Sequence, residues 1–244
     1  MFKGIPISNT ITKPLIKGIP TNSVNAGIIQ PTRWYDAGKG ISKNGDDTVY
    51  QWDDQSGNGK HFVQATSSSQ PLWVNAYVNG LPAIYFNQDQ MSSAALSADV
   101  WEVSLYIVIR FTTTKAWPSG FFFISMYGNL CFSDGANNLY SYQRGGAWAY
   151  GFTITTGSWM VFSMRKKILN SNSGFSSIEF YKDGVAGTKT LNCIDNWSGG
   201  LPYIQWNVSH LEQYHIAEIA LFESYIDDQS HNYWNNYLKS KYGI

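Results

Sequence analysis

From Thr32 onward, the chain alternates short runs of β-branched and aromatic residues with polar segments rich in glycine, asparagine and serine. Runs of about four to nine such residues are typical of β-strands. The clearest runs are 48–52, 82–86, 103–111, 120–126 and 159–165. Many short strands, separated by turns roughly every ten residues, predict an antiparallel β-sandwich or barrel.

Two segments have the pattern of β-hairpins, and a third predicts a further strand. In 178–191 the turn dipeptide Asp183-Gly184 separates two alternating segments, and in 139–150 the turn falls at Gly145-Gly146. In 214–223, strict alternation divides the side chains between two faces. The first face carries Ile216, Glu218, Ala220 and Phe222, and the second carries Ala217, Ile219 and Leu221.

The C-terminal segment 226–244 has a helical pattern. Asp227 or Asp228 is suited to cap the start of a helix, and Gly243 is suited to end it. The positions expected to form one buried stripe are Trp234, Tyr237 or Leu238, and Tyr242. The sequence therefore predicts a short C-terminal helix that packs on the β-domain.

Residues 1–31 differ from the rest and contain the tetrapeptide KGIP twice, at 3–6 and 17–20. Proline and glycine at this spacing disfavour a helix and favour an extended chain. A disordered leader is one interpretation, but the scattered isoleucines and leucine favour a segment that becomes ordered on a partner. We expect an extended arm over 1–31 that anchors the chain in an assembly, followed by one domain over 32–244.

The balance of charge excludes several classes of partner. The chain has 17 basic and 17 acidic residues, so it has no net charge with which to attract nucleic acid or an anionic membrane. No stretch approaches the ~20 apolar residues of a membrane span. Pro6 and Pro14 interrupt the apolar N-terminus, which disfavours a secretory signal. We expect synthesis in the cytoplasm, no nucleic-acid partner and no insertion into membranes.

The segment QWDDQSGNGKHF, residues 51–62, places two aspartates beside a glycine-rich turn. It could be a catalytic carboxylate pair, a calcium site or a structural corner. Adjacent residues of an extended chain point to opposite faces, so Asp53 and Asp54 are badly placed to flank one glycosidic bond. They remain the candidate calcium ligands, but no bidentate glutamate closes the loop.

The same segment fits a corner better. Aspartate and serine side chains bind backbone amides in turns, while Gly57 and Gly59 can adopt positive φ and Trp52 can pack beneath. We therefore do not expect a cofactor, and calcium should not be required for folding. The motifs of nucleophilic elbows and phosphate loops are also missing from the sequence, so no catalytic residue is predicted.

Aromatic residues make up 16% of the chain, and several lie in or beside predicted turns. Aromatic rings stack on the apolar faces of sugars while polar groups bind the hydroxyls. The alternative is that each tryptophan folds back onto the core. Tyr142 and Trp148 are expected to lie opposite each other in their hairpin. The candidate ligand-binding residues are Tyr142, Arg144, Trp148, Tyr150, Trp117 and Trp197.

Several landmarks occur together in one order, and the most specific are W-x-D-x-S-G-x-G at 52–59 and the closing YLKSKYGI at 237–244. With RWYDAG at 33–38 and HIAEIALFE at 215–223, they resemble the concanavalin A-like, laminin-G-type jelly-roll modules of bacteriophage structural proteins and bacterial surface proteins. The resemblance covers 32–244. It implies an all-β jelly-roll sandwich of two antiparallel sheets, usually without catalysis and sometimes with sugar or calcium binding.

The resemblance also sets the expected function. It implies a non-enzymatic virion structural protein on the virion surface, such as a capsid decoration, a head fibre or a component of a tail spike or fibre. The arm would contact other virion proteins, the chain would form a homo-oligomer, and a glycan is a further candidate partner. The alternative is a carbohydrate-binding adhesion module. A glycoside hydrolase is least favoured, because EIALFE at 218–223 has alanine where related hydrolases have aspartate in E-x-D-x-x-E.

Overall fold

The computed structural model describes residues 27–94, 102–113, 124–126, 129–133, 138–142, 148–170, 175–194 and 213–244 of the 244-residue chain. Within these ranges the chain forms fifteen strands and one α-helix. The elements are β1 Arg33–Asp36, β2 Ile41–Lys43, β3 Val49–Trp52, β4 Phe62–Val63, β5 Leu72–Val78, β6 Leu81–Asn87, β7 Val103–Phe111, β8 Ile124–Met126, β9 Asn129–Ser133, β10 Asn138–Tyr142, β11 Trp148–Thr153, β12 Trp159–Asn170, β13 Phe175–Lys182, β14 Val185–Ile194, β15 Gln213–Phe222 and α1 Asp228–Tyr242.

The largest sheet has eight antiparallel strands in the order β14-β13-β12-β7-β15-β6-β5, and β1 also pairs with β15. Its middle strand β7 reads VSLYIVIRF and is buried on both faces along nearly its whole length. A strand covered on both sides has no need of polar alternation. This explains why the run at 103–111 is almost continuously apolar.

Two smaller antiparallel sheets, β11-β10-β9-β8 and β2-β3-β4, complete the β-structure. Trp52 and Phe62 of the three-stranded sheet are buried against Tyr35 of β1, with ring centroids 5.7 and 4.3 Å from that of Tyr35. They join a core that also includes the inward side chains of β7, β12 and β15. The predicted all-β antiparallel sandwich with a C-terminal helix is confirmed.

Helix α1 packs on part of the outer face of the large sheet and makes a second core there. Asp227 is its N-cap, because its side chain accepts a hydrogen bond from the amide of Ser230, and Gly243 ends it with φ 65°. Trp234, Leu238 and Tyr242 are fully buried. The N-cap is therefore Asp227 and not Asp228, and the buried stripe contains Leu238 in preference to Tyr237.

The last residues of the predicted arm pack on this helix. Ile28 is only 9% exposed, the amide of Ile29 donates to Ser230 Oγ at 3.1 Å, and Trp234 Nε1 donates to the carbonyl of Ile29 at 3.0 Å. The packing of the domain thus begins at Ile28, before the expected boundary at residue 32. Residues 1–26, the greater part of the predicted arm, lie outside the described ranges.

The turn at Asp183-Gly184 is confirmed, with φ of 54° and 80° at its two residues. The faces predicted for Ile216 and Ala217 of strand β15 are wrong. The strand has a register shift between Ile216 and Glu218, so Ile216 lies in the central core, whereas Ala217 lies in the core beneath the helix. A bulge adds one residue to one strand and moves the following side chains to the other face. Among the described residues, we find no helix long and apolar enough to cross a membrane.

Candidate functional site

The two adjacent aspartates of the glycine-rich segment 51–62 have different roles, and that of Asp54 is the one expected of a structural corner. Asp54 is buried, and its carboxylate accepts hydrogen bonds from the backbone amides of Trp34 at 3.0 Å, Ser56 at 2.9 Å and Lys60 at 3.0 Å. These bonds tie the turn to strand β1. Gly57 provides positive φ at 85° in the same turn. The structural interpretation of Asp54 is confirmed.

Asp53 lies nearer to solvent than Asp54. Its carboxylate accepts a hydrogen bond from Gln51 Nε2 at 2.7 Å and lies 3.2 Å from His61 Nδ1. In the part of the chain that the structure describes, no three histidine, cysteine, aspartate or glutamate side chains are grouped to hold a metal ion. The two candidate calcium ligands are therefore engaged with other groups of the protein.

The predicted aromatic hairpin is formed by β10 and β11. Tyr142 is the cross-strand partner of Trp148, and Tyr140 is the partner of Tyr150, with one pair between them. The expected pairing of Tyr142 with Trp148 is confirmed. The other candidate ligand residues, Arg144, Trp117 and Trp197, lie outside the described residues. Ligand binding by this set stays a prediction.

An exposed groove of about 430 Å³ lies beside β3 and β4 and was not predicted. Tyr50 is 44% exposed and Val63 is 45% exposed, although their neighbours Trp52 and Phe62 are buried. The lining residues that the structure describes are uncharged: Asn44, Tyr50, Val63, Gln64, Ala65 and Gln70. A phenol ring and a valine thus form an apolar wall opposite three side-chain amides.

The amides of the groove are held by one another and by the backbone. Asn44 Nδ2 donates to Gln70 Oε1 at 2.7 Å and to Thr48 Oγ1 at 2.9 Å. Gln70 Nε2 donates to the carbonyl of Gln64 at 2.8 Å, and Gln64 Nε2 donates to the carbonyl of Gln90 at 2.8 Å. An amide group has two N–H donors, and within the described residues Gln64 and Gln70 each use one of them in these bonds. Side chains fixed in this way lose little freedom on binding.

Sequence reasoning missed Tyr50 because alternation places it on the same face as the buried Trp52. The pairing of β2 with β3 changes register between Ser42 and Lys43, which leaves Tyr50 as the extra residue. The bulge turns its ring outward. The available signal was the cluster of glutamine and asparagine around strand β3 in the sequence, but it does not specify which side chains meet.

Two clusters of acidic side chains lie on the helix side of the large sheet, and in them Glu218 is fully buried whereas Asp228 is exposed. Burial raises the pKa of Glu218, whereas the charge of Lys241 opposes that rise. Lys241 also donates to Asp36 at 2.8 Å. Farther along the sheet, Arg165 binds Glu179 at 2.8 Å and Asp228 at 2.7 Å. These carboxylates are paired with cations, which is the usual arrangement of charges that stabilise a fold.

No protein-family model and no curated protein matches this chain. Solved structures do match, at 10–16% identity. The ligand-binding domain of botulinum neurotoxin serotype D, in complex with N-acetylneuraminic acid, aligns with a TM-score of 0.59 and 11% identity over 88% of this chain and 52% of that one. Identities of this size show that the fold is shared and nothing more.

Two further structures have the same fold. Trypanosoma rangeli sialidase in complex with sialic acid aligns with a TM-score of 0.55 and 10% identity, over 86% of this chain and 33% of the sialidase. Domain 4 of an extracellular arabinanase from Geobacillus stearothermophilus, in complex with arabinotriose, aligns with a TM-score of 0.55 and 16% identity, over 82% of this chain and 96% of that domain. The chain therefore spans about a third of the sialidase and about half of the neurotoxin domain.

Proposed function

We propose that this chain is a carbohydrate-binding β-sandwich module and that the groove beside β3 and β4 binds a neutral glycan. The observation that carries the proposal is an exposed ring, Tyr50, next to the ordered amides of Gln64 and Gln70, with no charged side chain among the described lining residues. The apolar face of a sugar would stack on the ring while the amides bind its hydroxyls. Domains of this fold solved with sialic acid or arabinotriose support the proposal.

The module is proposed to bind without catalysis. A glycosidase needs two carboxyl groups that face the substrate from opposite sides. Glu218 is fully buried and bound to Lys241, Asp54 is bound to backbone amides, and the described part of the groove lining has no carboxylate. Incubation of a bound oligosaccharide with the protein should therefore yield no shorter product by chromatography, and the appearance of one would contradict this proposal.

We further propose that the module is displayed on the surface of a virus particle as a concanavalin A-like, laminin-G-type structural component. This part rests on the resemblance of residues 32–244 to bacteriophage modules and on the proline-rich segment before them. That segment would contact other virion proteins or other copies of the chain. Cryo-electron microscopy of particles labelled with an antibody to the module would test this location, and unlabelled particles would contradict it.

Glycan-array binding followed by calorimetry on the best neutral glycan tests the groove. We expect Tyr50→Ala to weaken binding by about tenfold, which corresponds to about 1.4 kcal/mol, because the stacking surface is lost. Tyr50→Phe keeps the ring and should bind nearly as well as the parent. Val185→Ala removes an exposed apolar side chain elsewhere and should leave the affinity for the glycan unchanged.

Trp148→Ala is the comparison variant for the predicted hairpin. If it abolishes binding while Tyr50→Ala binds like the parent, the ligand lies on the hairpin and the groove proposal is wrong. If the parent binds no neutral glycan on the array, the proposed function of the groove is contradicted. The melting temperature of each variant separates loss of binding from loss of fold.

A further inference from the structure

A row of five paired residues crosses five neighbouring strands on the outer face of the large sheet. The register pairs Trp159 with Arg110, Arg110 with His215, His215 with Tyr85, and Tyr85 with Leu72. Neighbouring strands lie about 4.8 Å apart, so the row is about 19 Å long. This is long enough for a short oligosaccharide, and Leu72 at one end is 38% exposed.

Tyr77 is folded over the middle of the row by an irregular stretch of β5. The pairing of β5 with β6 shifts register between Val74 and Val78, and Ala76 has a positive φ of 50°. A left-handed backbone at a residue other than glycine costs of order 1 kcal/mol and often occurs at functional positions. The strained stretch brings Tyr77 back onto the sheet, where the residue is still 36% exposed.

The rings of the row are stacked on each other. The imidazole of His215 stacks with Tyr77 at 4.2 Å and with Tyr85 at 4.6 Å between centroids. Trp159 meets Tyr77 edge to face at 6.1 Å. Such a stack holds the exposed ring of Tyr77 in one orientation. It is therefore a rigid aromatic platform, and it lies on the opposite sheet from the groove of Tyr50.

Arg110 supplies the charge of this platform. Its Nε donates to the carbonyl of Gly157 at 2.8 Å, its Nη1 donates to the hydroxyl of Tyr77, and its guanidinium carbon lies 5.4 Å from the centre of the Tyr77 ring. Among the described residues, no carboxylate forms an ion pair with Arg110. These two hydrogen bonds use only part of the guanidinium group. Its remaining N–H groups can bind both oxygens of a carboxylate, because they form a planar fork.

The imidazole of His215 does not provide a second positive charge beside Arg110. Burial and the charge of Arg110 lower the pKa of His215 to about 4, so its imidazole is neutral at pH 7. At the other side of the row, the carboxylate of Asp89 contributes to the raised pKa of Tyr85, after burial. A negative ligand group is thus attracted at the Arg110 end and repelled at the Tyr85 end.

We propose that this platform is a second binding site, specific for an acidic glycan, in which the carboxylate of a uronic or sialic acid residue is held by Arg110 and its ring stacks on Tyr77. Thr112 Oγ1, 3.4 Å from His215 Nδ1, lies at the same end and can bind a sugar hydroxyl. The opposite charges of Arg110 and Asp89 orient the chain of sugars along the row. The site has its own ring and its own charge, and it does not depend on the groove.

Two pairs of probes test the site by calorimetry: trigalacturonic acid against its methyl ester, and sialyllactose against lactose. We expect at least one acidic probe to bind the parent at least tenfold more tightly than its neutral counterpart, and higher salt should weaken that binding. Arg110→Gln and Tyr77→Ala should each lower the affinity for the acidic probe at least tenfold. Val185→Ala removes an exposed apolar side chain outside both proposed sites, and as the matched control it should leave that affinity unchanged.

The conservative variants separate a binding role from a structural one. Tyr77→Phe keeps the ring and should keep most of the affinity, whereas Arg110→Lys keeps the charge without the fork and should bind less well than the parent. The proposal is overturned if the esters bind as well as the acids, if no acidic probe binds the parent, or if folded Arg110→Gln binds like the parent. Binding of polyglutamate with the same dependence on Arg110, but not of the sugar acids, would show a protein-docking surface and also overturn it.

Discussion

The carboxylate of Glu218 and the ammonium group of Lys241 are in direct contact, although Glu218 is completely buried within the sheet. Glu218 also accepts hydrogen bonds from Trp34 Nε1 at 2.6 Å and from the Tyr242 hydroxyl at 2.8 Å. Lys241 reaches Asp36 of β1 as well. One buried carboxylate therefore fastens the last turn of the helix to two strands of the large sheet.

Removal of Lys241 should be far more damaging than removal of the pair. Lys241→Met leaves the Glu218 carboxylate buried with no cation, which costs about 3–5 kcal/mol in the free energy of unfolding. The double variant Lys241→Met/Glu218→Gln should recover much of this loss. Urea denaturation at pH 7 measures both, and a loss below about 1 kcal/mol for Lys241→Met would contradict the stated role of the ion pair.

The pH dependence of Lys241→Met provides an independent check. Burial raises the pKa of Glu218, so the folded state holds this proton more tightly than the unfolded state, where the pKa is about 4.3. Stability from such a group is present at low pH and is lost as pH rises through the folded-state pKa. The difference in the free energy of unfolding between the parent and Lys241→Met should therefore become smaller as the pH is lowered from 7 to about 4.

The two adjacent aspartates should differ in their effect on stability. Asp54→Ala leaves the amides of Trp34 and Lys60 without their acceptor and should cost about 2–4 kcal/mol. Asp53→Ala is the matched control, since its carboxylate binds side chains near the surface, and it should cost less than about 1 kcal/mol. Equal losses for both variants in urea denaturation would show that the corner is held in another way.

Calcium should have little effect on the stability of the parent protein. The carboxylates of Asp53 and Asp54 are bound to protein donors, and a cation would have to displace them. We expect the melting temperatures in calcium and in a chelator to agree within about 2 °C, which is below 1 kcal/mol for a domain of this size. A drop of more than about 5 °C in the chelator would establish a stabilising calcium site.

The sequence was a good guide to the elements and a poorer one to the faces of the strands. Runs such as 103–111 are long, apolar and clearly bounded, and the Asp183-Gly184 turn has a specific backbone requirement, so both could be predicted. Ile216 was assigned to the wrong face and the outward position of Tyr50 was missed, because bulges in β15 and β3 reverse the alternation. A bulge depends on the pairing of two distant strands, which a local pattern does not contain.

The same limit applies to the candidate sites. The aspartate corner is made by residues close in sequence, and local turn chemistry was enough to predict it. The row of Trp159, Arg110, His215 and Tyr85 joins four strands that are far apart in the chain. Only the sheet register brings these side chains together, so none of them was distinguishable from other strand residues beforehand.

Two buried histidines should make the protein less stable in weak acid. Burial, the larger cause, and a nearby arginine lower the pKa of His215 and of His231 to about 4. An unfolded histidine titrates near 6.5, so the stability from each group is present above about pH 6.5 and is lost as the pH falls to about 4. Each contributes on the order of 1–3 kcal/mol by this linkage.

Denaturation in urea at pH 7, 6 and 5 measures this effect. The contribution of Glu218 to stability changes with pH in the opposite direction to that of the histidines. The comparison is therefore between the parent and His231→Gln, because both proteins have the contribution of Glu218. The variant should be less stable at pH 7, because the hydrogen bond to the Tyr106 hydroxyl at 2.6 Å is changed, but its stability should fall less between pH 7 and 5. Parallel curves for the two proteins would contradict the linkage.

Two truncations should separate assembly from folding at the N-terminus. Deletion of residues 1–26 keeps Ile28 and Ile29, and the contacts of these residues with Ser230 and Trp234 should hold the melting temperature at the parent value. Deletion of residues 1–31 exposes the helix where Ile28 was buried and removes both backbone bonds. That loss of about 2–3 kcal/mol should lower the melting temperature by several degrees.

Both truncated proteins should fold, because the central core contains no residue before Tyr35 among those described. If residues 1–26 are the proposed anchor, the shorter deletion should also abolish oligomers or incorporation into particles, as measured by light scattering and by sedimentation with the particle fraction. Normal assembly of a stable protein lacking 1–26 would contradict the anchoring proposal and leave the domain unaffected. Failure of that protein to fold would instead show that the segment belongs to the sandwich, because apolar residues that serve only a partner are not needed for the core of the free domain.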